Sequence, residues 1–257
     1  MIAFPYYGGK YCLRKWLSSY LPLTKTYCEP FGGSGAILIN RTPSKVEVLN
    51  DADGEIANFF RVLREKPKEL IYLLEHTLYS RREFALACEP TDDLVERARR
   101  LYVRMRQGRS GIPTARGRQW KFSVTYSRMG MAASVSQWIK AIEGLPEIVE
   151  RIRRVQFLDD TAEFILRRFD GKDVLFYCDP PYPKSSRNAF GQYRHEMTEQ
   201  EHLDLAKLLH SLKAKVAISG YHCQLYDDAY KDWRFVEYTK NNHTSKNSRT
   251  EVLWMNY

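Results

Sequence analysis

Long apolar runs are missing from this sequence. No window approaches the roughly 18 uninterrupted apolar residues of a membrane-spanning helix. The best run, Leu70-Ile71-Tyr72-Leu73-Leu74, stops at Glu75. The first residues, Met1-Ile2-Ala3-Phe4-Pro5, lack a basic stretch followed by an apolar one, so no secretory signal is expected. Cysteine is sparse: five residues, an odd number with no CxxC pair. That argues against a disulfide framework or a zinc site and fits a reducing cytoplasm. The six histidines show no metal-ligand spacing. Internal repeats and low-complexity tracts are also lacking. Apolar material is not: hydrophobic residues make up 44% of the 257, enough for a real core. The length suits one large domain, or a core domain carrying a smaller inserted one.

Acids are missing from one particular stretch. The chain carries a formal net charge of +9. Residues 57–156 hold 20 Lys+Arg against 11 Asp+Glu, whereas the rest of the chain is balanced. Within that segment, residues 97–128 hold nine Arg and one Lys with no acid. A solvated face normally mixes both signs, so a one-sign stretch calls for a partner. Arg forks suit phosphates and guanine edges, and Tyr102, Trp120 and Tyr126 are interleaved with them. A nucleic-acid-binding segment inside an otherwise neutral protein is the sharper reading. A basic surface that only aids solubility is the alternative.

Three blocks follow along the chain. In residues 1–56, Thr26-Tyr27-Cys28-Glu29 reads as a strand running into Pro30-Phe31-Gly32-Gly33-Ser34-Gly35, and Ala36 to Asn40 as a helix. A second strand, Val46-Glu47-Val48-Leu49-Asn50-Asp51, ends on an acid. Strand, glycine turn, helix, strand and acid in this order begin a Rossmann-like sheet. Residues 57–156 look mostly helical. Leu94, Ala98, Leu101, Tyr102 and Met105 form one apolar stripe, with Asp92 and Asp93 as caps and Arg97, Arg100 and Arg104 on other faces. After Gln107, glycines and Pro113 predict a loop or hairpin, and Trp120-Lys121-Phe122-Ser123-Val124 alternates like a strand. Residues 157–257 return to α/β style. Asp173 to Cys178 is a buried strand ending at Asp179, and Thr198-Glu199-Gln200-Glu201 is a capping box before Leu205, Leu208, Leu209 and Leu212. Strands over Lys215 to Gly220 and Glu251 to Asn256 complete the block. The expected organisation is a catalytic domain in two parts, 1–56 and 157–257, interrupted by an inserted recognition domain over 57–156.

The strongest chemical signal is Asp179-Pro180-Pro181-Tyr182 at a strand's carboxyl end, where sites of open α/β sheets lie. A proline turn that merely closes a strand is the plain alternative. Pro donates no backbone hydrogen bond, so this turn is biased toward presenting acceptors. Acceptors hold an exocyclic amine: Asp179 and the Pro180 carbonyl can each take one N–H of an adenine amino group. That draws the nitrogen toward a tetrahedral form and frees its lone pair, while Tyr182 can stack on the base.

The chain resembles the Dam-type (D12 class) family of DNA adenine N6-methyltransferases. Tyr6-Tyr7-Gly8-Gly9-Lys10, Glu29-Pro30-Phe31-Gly32-Gly33-Ser34-Gly35, Asn50-Asp51 and Asp179-Pro180-Pro181-Tyr182 match its motifs in the α-group order. Gln156-Phe157-Leu158-Asp159, Ile218-Ser219 and the segment from Lys246 to Trp254 add to the likeness. The resemblance implies a Rossmann-like class I S-adenosylmethionine-dependent methyltransferase sheet, with an inserted, mostly helical DNA-recognition domain containing a hairpin. It implies S-adenosyl-L-methionine as cofactor and Asp179, Pro180 and Tyr182 as catalytic residues. Cofactor binding falls to Tyr6, Lys10, Glu29, Phe31, Gly32, Gly33, Gly35, Asp51, Asp159 and Asp179. Glycines let the backbone approach a ligand. Asp51 can accept two ribose hydroxyls, or cap the helix starting near Gly54. Lys10 can pair with the methionine carboxylate, or be a surface lysine. Glu29 serves the cofactor's amino-acid part or fixes the turn, Phe31 is also a core candidate, and Asp160 competes with Asp159 for contact with the cofactor adenine.

DNA contact is expected from Arg109, Arg116, Arg118 and Lys121, with Lys246 in a second polar-basic loop. Residues 109–116 depart from the recognition hairpin of the GATC-reading enzymes, so the target sequence is open. Gln107 and Gln119 are read as solvated rather than base-contacting. The expected partner is double-stranded DNA, with no membrane, no metal and no obligate protein partner, for a monomer in the cytoplasm of a bacterial or phage-infected cell. Competing functions are an N4-cytosine or other amino-methyltransferase, and a catalytically silent DNA-binding relative. Cytosine enzymes usually carry Ser, and amide enzymes Asn, where Asp179 stands.

Overall fold

The computed structural model describes residues 1–109, 119–127, 130–186, 196–239 and 250–257. Its strands in chain order are β1 (Thr26–Glu29), β2 (Val46–Asn50), β3 (Val155–Leu158), β4 (Val174–Cys178), β5 (Lys215–Gly220), β6 (Arg234–Thr239) and β7 (Thr250–Met255). They form one sheet in the order β3-β2-β1-β4-β5-β7-β6. The first five run parallel, and β7 pairs antiparallel with β5 on one side and β6 on the other. This is a Rossmann-like sheet, as expected from the sequence. Strand order reverses between β1 and β4, the neighbours at the centre, and ligands of open α/β sheets sit at such a reversal beyond the carboxyl ends.

Parallel strands covered on both faces read as continuous apolar runs, and all five β4 residues are buried. Side chains alternate between two cores. Tyr27, Leu49, Leu175 and Tyr177 join one apolar cluster, and Cys28, Val48, Phe176 and Cys178 join the other. Cys178 therefore faces away from Asp179, as the alternation predicts.

The helices are α1 (Arg14–Tyr20), α2 (Ala36–Asn40), α3 (Gly54–Glu65), α4 (Pro67–Glu75), α5 (Arg81–Leu86), α6 (Leu94–Gln107), α7 (Ala133–Glu143), α8 (Leu145–Ile152), α9 (Ala162–Arg168), α10 (Glu199–Ser211) and α11 (Gln224–Ala229). Asp93 caps α6 by accepting from Glu96 N, and the capping box of α10 forms as read. Ala98, Leu101, Tyr102 and Met105 of the α6 stripe are buried, whereas Leu94 at its start is 46% exposed. Helix α3 packs along α6: Phe59 stacks on Tyr102 with centroids 5.9 Å apart, and Phe4 meets Phe59 edge to face at 5.0 Å. One apolar cluster thus runs from the sheet through α3 and α6 to Trp138 of α7.

Three sequence expectations need correcting. Residues 120–124 form no strand: Trp120 makes a single bridge to Gly108, and Ser123 turns back on Thr125. Alternation alone does not supply a partner strand. Gln107 is fully buried, donating to the Leu78 carbonyl at 3.2 Å, so it is not a solvated residue; Gln119 is exposed. Tyr102 is a core residue and not part of the basic surface.

The arginines of α6 are also spent inside the protein. Arg97 and Arg104 reach Glu55 of α3, with Arg97 Nε 3.0 Å and Arg104 Nη2 3.6 Å away. Arg99, 7% exposed, binds Glu96 at 2.6 Å, Glu83 at 3.1 Å and Thr77 at 3.0 Å. Arg100 pairs with Glu96 at 2.7 Å, and Arg106 donates to the Ile2 and Ala3 carbonyls at 2.9 Å. Their acids lie before position 97, outside the stretch counted as one-signed. The basic excess left for an external partner starts at Arg109.

Candidate active site

Three loops leave the carboxyl ends of adjacent strands and meet. After β1 comes Pro30 to Gly35, after β2 comes Asp51, and after β4 comes Asp179-Pro180-Pro181-Tyr182. The first loop is built on glycine for internal reasons. A Cβ on Gly32 would sit 2.6 Å from Leu49 Cδ1 and 2.9 Å from the Asn50 carbonyl oxygen, so only glycine fits. Gly35, with φ of 61°, turns the chain into α2 in the left-handed region that other residues avoid.

Asp51 ties two loops together. Gly33 N donates to Oδ2 at 2.7 Å and Asp53 N donates to Oδ1 at 2.9 Å. The cap of α3 is Asp53, accepting from Glu55 N, so the capping alternative for Asp51 falls away. A carboxylate is an acceptor-only group whose two oxygens can each take more than one donor. Asn50 holds the adjoining loop by donating to the Pro30 and Asp160 carbonyls.

A cavity of about 390 Å³ runs between these loops. Its lining includes Tyr6, Lys10, Glu29, Phe31, Gly32, Gly33, Asp51 and Asp179. The structure therefore gathers eight residues singled out from the sequence. Gly35, Pro180, Tyr182 and Asp159 are not among the residues that line it: Pro180 and Tyr182 are buried, Asp159 is exposed, and Pro181 takes the place of Pro180 in the lining. Asp160 is held by Asn50 through both its backbone groups. Arg109 is exposed at the neck of the loop after α6, where its N–H donates to the Gln119 carbonyl at 3.0 Å. Lys121 is half-buried beside it and donates to Gln137 at 3.0 Å. Arg116, Arg118 and Lys246 lie outside the described residues.

The electrostatics concentrate at Asp179. Lys10, only 5% exposed, places Nζ 2.8 Å from Asp179 Oδ1 and donates to the Gly8 carbonyl at 2.7 Å. It is no surface lysine. Burial raises the Asp179 carboxyl above the usual range, and the Lys10 ammonium opposes that shift. Glu29 is buried, accepts from the Tyr27 hydroxyl at 2.8 Å, and is pushed up to about 8 by its burial. Tyr182 is 4% exposed; Lys10 Nζ lies 4.8 Å from its ring centroid, and Tyr221 meets it edge to face at 4.8 Å. Its hydroxyl donates to Glu251. A base stacking on this ring would have to displace one of those neighbours.

Sequence reading missed Glu251, Tyr177 and the cavity's outer wall of Thr161, Ala162, Glu196 and Met197. Glu251 carried a usable signal: an acid leading the apolar run Val252-Leu253-Trp254-Met255, all buried. The outer wall carried none, because loops far apart in sequence supply it.

A sheet reversal, a glycine loop tied to a strand-end acid, and an Asp-Pro-Pro-Tyr turn now stand around one cavity. The sequence matches the profile of the D12 class N6 adenine-specific DNA methyltransferases over residues 6–246. The chain belongs to that family. It is 28% identical over 270 residues to the Type II methyltransferase M1.LlaDCHI of Lactococcus lactis subsp. cremoris, covering 97% of this chain and 93% of that protein. It is 28% identical over 245 residues to the DNA N-6-adenine-methyltransferase of Escherichia phage P1, covering 90% of this chain but 31% of the phage protein. The DNA adenine methylase of Escherichia coli strain K12 is 23% identical over 236 residues, covering 87% and 82% respectively. A Streptococcus mutans protein solved in complex with SAH superposes with a TM-score of 0.37 at 9% identity, covering 95% of this chain and 96% of that one. The D12 methyltransferases use S-adenosyl-L-methionine to methylate N6 of adenine in DNA, and this is the reaction of the chain. N4-cytosine and amide transfer are not the family's chemistry.

Proposed function

We propose that a flipped adenine presents its amino group to Asp179 and the Pro180 carbonyl, with the methyl donor held in the adjoining cavity. The observation that carries this reading is the single cavity reaching from Asp51 to Asp179. Its volume of about 390 Å³ falls within the roughly 300–1,000 Å³ of small-molecule sites. Its lining suits S-adenosylmethionine: the Asp51 carboxylate as an acceptor for a ribose diol, aromatic Tyr6 and Phe31, and close backbone at Gly32 and Gly33. Lys10 stands near enough to the cavity to meet a carboxylate, although Asp179 already holds it. When bound, the cofactor supplies an electrophilic methyl on a sulfonium centre, so no residue need activate it.

The protein's task is to place and prepare the amine. An amine paired inside a duplex is out of reach, and flipping the base costs roughly a few kcal/mol. Asp179 Oδ accepts one amino N–H and the Pro180 carbonyl the other, which aligns the nitrogen lone pair. The Asp179 carboxylate also favours the positive charge that grows on N6 during attack. Burial raises the Asp179 carboxyl, and Lys10, 2.8 Å away, opposes that shift. The methylated aminium is acidic and gives its surplus proton to water.

The insertion's exposed part supplies the DNA surface in this reading. Arg109 is exposed there and lines one groove with Phe122, and Phe122, Val124 and Tyr126 are 58%, 92% and 84% exposed. Arg116, Arg118 and Lys246 are proposed to add phosphate contacts. We further propose that the helical body of 57–156 serves recognition and 1–56 with 157–257 catalysis, with the borders moved off α3 (Gly54–Glu65) and β3 (Val155–Leu158), which cuts at 57 and 156 would split although β3 is a strand of the sheet, in a monomer acting on double-stranded DNA in a bacterial or phage-infected cytoplasm.

A split in function tests the site. Asp51→Ala should weaken cofactor binding, measured by calorimetry, by tenfold or more on the scale of two lost charge-assisted hydrogen bonds. Asp179→Ala should retain cofactor binding and lose methylation. Appreciable turnover by folded Asp179→Ala protein removes Asp179 from the reaction.

A further inference from the structure

One acid in the buried cluster has no part in the steps above. Glu251, near the start of β7, is 8% exposed. It accepts the Tyr182 hydroxyl, and its Oε1 lies 3.5 Å from Lys10 Nζ. The same ammonium sits 2.8 Å from Asp179 Oδ1 and 4.8 Å from the Tyr182 ring centroid. Glu251 thereby ties the N-terminal segment, the turn after β4 and the strand β7 to one another. A lone Lys10–Asp179 pair would already be neutral. A second buried carboxylate on the same ammonium is costly and calls for a role. Burial raises the Glu251 carboxyl, the Asp179 charge raises it further, and Lys10 opposes both. Tyr177, Glu29, Cys178 and Tyr226 are further titratable groups that feel the Asp179 charge, and Tyr177 feels that of Glu251 as well.

We propose that Glu251 is a positioning residue for methyl transfer: it anchors the Tyr182 ring and draws Lys10 partly away from Asp179, leaving Asp179 a stronger acceptor for the amine. The inference rests on the reading of Asp179 as that acceptor. The physical reason is competition. A carboxylate wholly paired to an ammonium has less charge to offer an incoming N–H, and a second carboxylate 3.5 Å from that ammonium takes a share of it. Glu251 acts through Lys10 and Tyr182 and touches no substrate itself.

The test is the pH dependence of kcat on duplex DNA with S-adenosylmethionine. Glu251→Gln keeps an oxygen for the Tyr182 hydroxyl and deletes the charge. Without that charge Asp179 ionises more easily, so the acid limb should move down by roughly half to one pH unit. The plateau kcat should fall severalfold as Lys10 settles on Asp179. Glu251→Asp retains the charge and should hold its limb at the wild-type position. Glu251→Ala also releases Tyr182, and KM for DNA should rise by about tenfold, the effect of roughly 1.4 kcal/mol. Cofactor affinity by calorimetry serves as the check on folding for each variant. Glu251→Gln with a wild-type limb and plateau overturns the proposal, as does a Glu251→Asp limb displaced as far as that of Glu251→Gln. Asp179→Asn, run alongside, separates the two readings: turnover there overturns the acceptor role of Asp179 itself, whereas its loss with unaffected Glu251 variants overturns only the role of Glu251.

Discussion

Three buried carboxyls, Glu29, Asp179 and Glu251, stand at this site, and burial raises each above its ordinary value. Glu29 is held at about 8 by burial against an ordinary value of 4.5. A folded-state value above the unfolded one stabilises the fold most at low pH, and the benefit is lost as pH rises from about 4.5 through about 8. Glu29→Gln should therefore reduce the fall in stability across that window, read as urea midpoints at a series of pH values. Asp179 and Glu251 shift in the same direction and leave a residual slope. An unchanged slope in Glu29→Gln would show that Glu29 is ionised in the folded protein. Asp179 was legible in sequence because a strand, two prolines and a tyrosine surround it. Lys10 was legible as a residue but not in its contacts: spacing gave no sign that its first partner is Asp179, 169 positions away, rather than a ligand. Glu251 was named only as the start of a strand, since its meaning depends on a strand register that brings β7 beside β5.

Elements with strong local chemistry were readable, and those defined by distant partners were not. The glycine loop, β1, α2, β4 and the capped start of α10 follow from residues within a few positions. β6 was not seen: Arg234-Phe235-Val236-Glu237-Tyr238-Thr239 is a sheet edge whose residues are exposed or half-buried, so no apolar face marks it. Residues 120–124 show the opposite error, alternation without a partner. The α6 arginines show a third, since their acids lie outside the window that was counted. Arg99→Ala should lower stability by about 2–3 kcal/mol, below the 3–5 of a fully buried pair because Glu96 and Glu83 remain about a quarter exposed. It should leave the salt slope of DNA binding unchanged. Gly32→Ala should cost about 1–3 kcal/mol by overpacking Leu49 and should raise KM for the cofactor, as thermal melts and initial rates would record.

At the scale of the whole molecule, a charge-balanced α/β sheet carries a basic insertion, and only part of that basicity faces outward. Four arginines brace α6 against α3, α5 and the N-terminal segment and Arg100 pairs within α6, so fewer are left for an outside partner than a linear count implies. Arg109→Ala should flatten the dependence of log K on log salt by about one, where Arg99→Ala should not. Equal slopes for both would mean that Arg109 makes no phosphate contact. Sheet order places the glycine loop and the Asp-Pro-Pro-Tyr turn side by side at the reversal between β1 and β4, the adjacency on which the proposed transfer to adenine at Asp179 rests. The direct measurement is single-turnover transfer from methyl-labelled S-adenosylmethionine to duplex DNA, with base analysis of the product, for wild type and Asp179→Asn. Label on adenine N6 with wild type, and none with Asp179→Asn while cofactor affinity is retained, is the expected result. Label on cytosine N4, or equal transfer by both proteins, would contradict it.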